Sequence, residues 1–109
     1  MSPLAYLLQR GTAALMVPLV AVHLAVIVMA VQGGLSAHEI LERTRGSLLW
    51  GAFYGLFVLA AAIHAGIGVQ AILREWAPFG ARAAAIAAHV FMGLLIALGA
   101  RAVYAVVWA

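Results

Sequence analysis

The chain has 109 residues, 68% of them hydrophobic and 8% charged, with six Arg and no Lys against three Glu and no Asp for a formal charge of +3. A water-soluble domain carries about 25% charged residues, so this chain cannot cover a water-facing surface and reads as a membrane protein. The arginines are scattered singly or in one close pair through apolar sequence, which excludes a nucleic-acid face, and the absence of Cys excludes disulfides, thiolate zinc, a thiol nucleophile and iron–sulfur ligation from this chain.

Between Arg10 and His38 the only ionisable side chain is His23. Residues 12–31 therefore form a first predicted span, long enough for about 30 Å of hydrocarbon at about 1.5 Å per residue. Its uncharged stretch exceeds the roughly 7 to 15 residues of a signal-peptide core, so it is retained as a span. Gln32-Gly33-Gly34-Leu35-Ser36 carries turn residues. The polar run Ser36 to Arg45 is expected as a short surface loop with a turn of interfacial helix, Glu39 standing at capping-box distance from Ser36.

A second span is predicted over residues 47–73, where His64 is the sole ionisable group. It is longer than a perpendicular crossing needs, so it should tilt or project. Arg74-Glu75-Trp76-Ala77-Pro78 ends it with charge, an interfacial aromatic and a helix breaker. A third span runs over residues 82–107, with Arg101 placed to snorkel. Trp50, Trp76, Trp108, Tyr6 and Tyr104 fall near predicted helix ends, as an aromatic belt requires. The whole chain, 1–109, is thus expected as one domain, an all-α membrane protein of three transmembrane helices. Charge divides evenly, Arg10, Arg74 and Arg82 against Arg43, Arg45 and Arg101, and the amino terminus tips the orientation toward a cytoplasmic start.

Each span carries one histidine, His23, His64 and His89. An ionisable group inside a membrane helix points to function, although an imidazole can also simply bridge helices. Imidazole is the one strong metal ligand this interior offers, and apolar surroundings favour a haem with two axial histidines over a water-bearing zinc centre. His64 is the best placed. Ala60 and Gly68 lie one turn to either side of it; they leave a flat surface for a planar ring or form small-residue helix contacts, and the two uses are compatible. Glu75, eleven residues on, returns to nearly the same face about 16 Å nearer the membrane surface, with Trp76 beside it. His89 has Gly93 and Ala97 at successive i+4 positions, a weaker version of the pattern. His23, flanked by Leu19 and Ile27, reads as packing or as a second-choice ligand.

Two segments carry a family resemblance. Tyr6-Leu7-Leu8-Gln9-Arg10-Gly11-Thr12-Ala13 and Ile63-His64-Ala65-Gly66-Ile67-Gly68, the latter followed by Arg74-Glu75-Trp76, resemble the Gln-Arg-x-Thr-Ala start and the His-x-x-x-Gly segment of the hydrophobic anchor of succinate dehydrogenase (succinate:quinone oxidoreductase, complex II), a cytochrome b subunit. The three-span layout agrees, so the resemblance covers most of the chain.

The resemblance implies an electron-transport complex of the bacterial inner (cytoplasmic) membrane, embedded in lipid and serving the tricarboxylic acid cycle. A flavoprotein subunit would oxidise succinate and an iron–sulfur subunit would pass electrons to quinone (ubiquinone or menaquinone). A second cytochrome b anchor subunit would share haem b with this membrane-anchor domain, whose three transmembrane helices would then form part of a larger haem-binding bundle. It further implies His64 as this subunit's axial metal ligand, the other coming from the second anchor, and Arg10 near the haem propionates or the quinone. Where the family has Asp then Tyr, this chain has Glu75 then Trp76; an indole donates one hydrogen bond but relays no proton. Arg10, Glu75 and Trp76 are the expected border of the quinone site. The subunit would not be catalytic alone. The competing readings are a cofactor-free structural anchor for another membrane-bound oxidoreductase and a small transporter or channel subunit using histidine protonation.

Overall fold

A computed structural model describes residues 1–78 and 80–108. It contains α1 (Pro3–Gln32), α2 (Ala37–Thr44), α3 (Leu48–Trp76) and α4 (Ala81–Val107). Of these, α1, α3 and α4 are long and apolar enough to cross a membrane, in a body measuring 48 × 24 × 23 Å. Twenty-seven to thirty residues span about 40 to 45 Å, so each long helix crosses the hydrocarbon and projects or tilts. Three places differ from the sequence expectation by more than one residue, the first being the end of α3, which runs past 73 to Trp76. α1 starts nine residues before position 12, because Ser2 caps it, its hydroxyl accepting from Ala5 N–H at 3.1 Å, with Pro3 in the first turn. The expected loop after α1 is instead an eight-residue helix.

The cap of α2 is the expected one: Ser36 Oγ accepts from Glu39 N–H at 3.1 Å. Glu39 itself lies against Gly33, where a Cβ would overlap the carboxylate. The chain turns between α1 and α2 through Gly34 at φ 98°, a conformation glycine adopts at little cost, and Leu35 N–H reaches back to Ala30 C=O at 2.9 Å.

α3 is the central helix and packs on both α1 and α4. Toward α4 the approach is set by glycines. At Gly66 an added Cβ would stand 3.0 Å from Met92 Cβ, and at Gly99 it would overlap Val58. Toward α1 the seam is a run of half-buried or buried residues, Gln9, Thr12, Met16, Leu19, His23, Val26 and Ala30. Their alternating spacing of three and four is the repeat of a left-handed helix pair. Most large apolar side chains face outward, as expected where the surroundings are lipid tails or other helices.

α2 closes the end of α4. A helix leaves its last carbonyls without intrahelical partners, which no water would satisfy inside this contact. Thr44, 1% exposed, donates its hydroxyl to Val106 C=O at 2.7 Å, and Gly46 N–H donates to Val107 C=O at 2.7 Å. Arg43 lies over the Trp50 ring, 5.8 Å from its centroid, and Trp50 stacks on Tyr54. Trp50 is therefore held by the short helix, whereas Trp76, Trp108, Tyr6 and Tyr104 are exposed near helix ends. Replacing Thr44 with Val leaves Val106 C=O buried without its donor, and such a group costs about 1–3 kcal/mol. The expected outcome is a lower unfolding midpoint in detergent, with Thr44→Ser close to the parent; equal midpoints for T44V and parent would show that α2 does not hold α4.

Candidate haem-ligand and quinone site

Thr12 and His64 meet in the α1–α3 seam. Thr12 Oγ1 is 2.7 Å from Leu8 C=O and 3.2 Å from Gln9 C=O. Its single proton is donated to those carbonyls, which only accept, so the oxygen is left to accept in turn. His64 Nδ1, 3.3 Å away, is then the protonated nitrogen of the ring. That leaves Nε2 with its lone pair. Among the described residues Nε2 has no hydrogen-bond partner, and it is not among the enclosed polar atoms, so it reaches the surface of the chain. A ring held through Nδ1 with Nε2 free is the arrangement a metal-ligating histidine needs.

The flanking small residues serve packing. Ala60 is 3% exposed, and a Cβ at Gly68 would sit 3.4 Å from Gln9 Nε2. Of the two uses of Ala60 and Gly68 left open by the sequence, the structure realises the close helix contact. Gln9, one turn before Thr12, brings its amide into the same seam, where Oε1 is enclosed without a partner.

Toward the membrane surface the seam opens into a cleft of about 590 Å³, lined by Met1, Ser2 and Ala5 on one side and Ile67, Gln70, Ala71, Arg74 and Glu75 on the other. Glu75 thus shares the α1-facing side of α3 with His64, as their eleven-residue separation predicts. Trp76 is 84% exposed and does not line the cleft. Arg10 is also outside it. Two residues before Thr12, it lies about 200° round the helix, exposed and stacked over Tyr6 at 5.7 Å. Within this chain the structure therefore brings His64 and Glu75 to one side and leaves Arg10 and Trp76 facing outward.

The histidines do not converge. His23 lies eleven residues beyond Thr12 on α1, about 16 Å farther across the membrane. It packs edge-on against Phe57 and Tyr54 with ring centroids 5.2 and 6.0 Å away. It also borders a 390 Å³ apolar cavity with Phe57, Val58, Gly99 and Val103, and its Nδ1 is buried without a partner. His89 is exposed and bonds its own helix at Ala85 C=O, 2.6 Å away. Among the described residues no group of three His, Cys, Asp or Glu could hold a metal ion. His64, held across the seam by Thr12, and His89, held by its own helix, thus each stand alone with Nδ1 engaged, which does not suit a metal caged by this chain alone. Thr12 and Gln9 stand in the Gln-Arg-x-Thr-Ala segment without a role read from sequence, and the structure brings both to the His64 seam; their signal was a hydroxyl and an amide at seam spacing in an otherwise apolar helix.

These features define a multi-pass membrane protein with a histidine oriented in the α1–α3 seam and a surface cleft at the end of that seam. Residues 3–101 match the family described as succinate dehydrogenase/fumarate reductase transmembrane subunit, and the chain belongs to that family. No curated protein and no solved structure gives a significant match. The geometry makes a specific demand on Thr12. In Thr12→Val the ring loses the acceptor that fixes its tautomer, so 15N spectra of selectively labelled His64 should change from a single Nδ1–H tautomer to a mixture, while Thr12→Ser keeps the parent pattern. An unchanged His64 spectrum in T12V would show that the hydroxyl does not orient the ring.

Proposed function

We propose that this chain anchors a succinate:quinone oxidoreductase in the bacterial inner membrane, with its amino terminus cytoplasmic, and contributes one axial ligand to haem b together with part of a quinone site. The observation that carries this reading is the Thr12–His64 pair: it holds Nδ1 and presents Nε2 outward, in a chain whose family is a transmembrane subunit of that enzyme. The flavoprotein and iron–sulfur subunits would dock on the face bearing the Glu75 cleft, and the second cytochrome b anchor would supply the opposing axial ligand.

Haem b, when bound, supplies a one-electron carrier in the membrane. His64 would hold its iron through Nε2, and Thr12 would keep the imidazole in the ligating tautomer. Reduction of a quinone takes two electrons and two protons, and the protons must come from the aqueous side. Glu75, exposed at the mouth of the cleft, can take a proton from water at its carboxylate and hand it inward. Arg74 in the same cleft favours developing negative charge on a quinone oxygen. Arg10 and Trp76, turned outward, would meet the haem propionates or the quinone only where another subunit closes over them.

A cofactor-free anchor is the competing reading, because the Thr12–His64 bond also ties two helices together. The assembled complex separates the two. On the proposed reading, His64→Ala shifts or abolishes the reduced-minus-oxidised haem band, and Thr12→Val weakens haem retention by about 10- to 100-fold. An unchanged band in H64A would move the ligand role to His23 or His89, and a colourless parent complex would favour the structural anchor. Glu75→Gln should lower quinone reduction by about 10² or more with the haem band intact. Parent-like turnover in E75Q would remove Glu75 from the proton route.

A further inference from the structure

We propose that the flank of α4 running from His89 through Gly93 and Ile96 to Ala100 docks a transmembrane helix of a different subunit, which presents an N–H or O–H donor to His89 Nε2. The chemistry of the exposed imidazole motivates this. A carbonyl only accepts, so the 2.6 Å contact with Ala85 C=O places the proton on Nδ1 and leaves Nε2, in the uncharged ring, as an acceptor alone. His89 stands seven residues beyond Arg82, about 10 Å farther along the helix and inside the hydrocarbon if Arg82 marks the membrane surface. Lipid tails carry no donor, and a polar side chain at that depth is costly unless a neighbouring helix bonds it.

The neighbouring positions allow such a helix to come close. Gly93 is exposed, and a Cβ built on it meets nothing within 4 Å. Ala100 is exposed as well. The spacing of four, three and four from His89 to Ala100 keeps them on one seam, roughly a quarter turn from the side that packs on α3.

The same lone pair selects the occupant. A second copy of this chain, inserted in the same direction and related by a two-fold axis, would present the same patch, and two acceptor nitrogens would face each other with no proton between them. A surface of different composition that carries a hydroxyl, amide or indole donor is the complement. Family membership provides that the chain has partner subunits, and the inference takes nothing else from it, so it stands or falls independently of the haem reading.

The absence of Cys makes the test direct. A single Cys is introduced by Gly93→Cys, or by Ala100→Cys as a second reporter, and the assembled complex in its native membrane is treated with a thiol-directed photocrosslinker. The expected product joins this chain to a different subunit, as identified by mass spectrometry. Adding His89→Leu should lower its yield about threefold, the effect of one average interhelical hydrogen bond. His89→Gln, which keeps an acceptor, should retain the yield. The proposal is overturned if the product contains only two copies of this chain. It is equally overturned if the thiol at position 93 reacts with a lipid-phase reagent as fast as a thiol at Leu98, about half a turn away on the exposed opposite side.

Discussion

Water is absent from the middle of the three spans, so each polar side chain there must find its partner in its own backbone or in another helix. That constraint gives a handful of residues control over an otherwise uniform apolar surface. Thr12 is the clearest case. Its proton is taken by the carbonyl one turn back, and this fixes what its oxygen can do to His64. Thr44 meets the same demand at the far end, where it satisfies a carbonyl that α4 cannot satisfy itself. Van der Waals packing is available nearly everywhere between apolar helices; hydrogen bonds are available at few places, and those places set the register.

The glycines then determine how close the helices come. Gly66 and Gly99 draw α4 onto α3 with no room for a methyl group, while Gly68 admits the Gln9 amide between α1 and α3. Small residues and polar residues divide the work: the former allow backbone approach, the latter choose which approach is kept. His64 is consequently held by a seam that extends nearly the length of α1. A shift of α1 by one residue would turn Thr12 about 100° away from the imidazole, so the ring's orientation depends on contacts far from it.

Much of this was legible in the sequence, and the limits have a physical origin. The three spans follow from hydropathy and charge placement, and the shared side of His64 and Glu75 follows from helical period alone. The extended start of α1 was obscured because Leu4 to Leu8 carry no charge change that marks a boundary, and the signal lay in Ser2 and Pro3 as cap and first turn. α2 was underread because only its first turn carries a capping pattern, while its last residues are held by α4. Which face of each span points inward was hardest to read. A helix that is apolar all round gives no stripe to follow, so the choice between a platform and a packing contact at Ala60 and Gly68 could be decided only in three dimensions. Arg10 illustrates the same limit: two residues from Thr12 in sequence, it is on the other side of α1 in space.

The polar atoms left without partners complete the argument. His64 Nε2, His89 Nε2 and Arg10 face outward on different sides, whereas Gln9 Oε1 and His23 Nδ1 are enclosed. A membrane protein that functioned as an isolated three-helix unit would be expected to turn such groups toward one another, and the seam has the residues to do so. They are instead spread over several faces. In a family of transmembrane subunits, the outward-facing atoms are the ones a partner subunit can satisfy, whereas Gln9 Oε1 and His23 Nδ1 are closed off inside the chain. The same outward-facing atoms that make the lone chain costly in lipid thereby favour the complex over its parts.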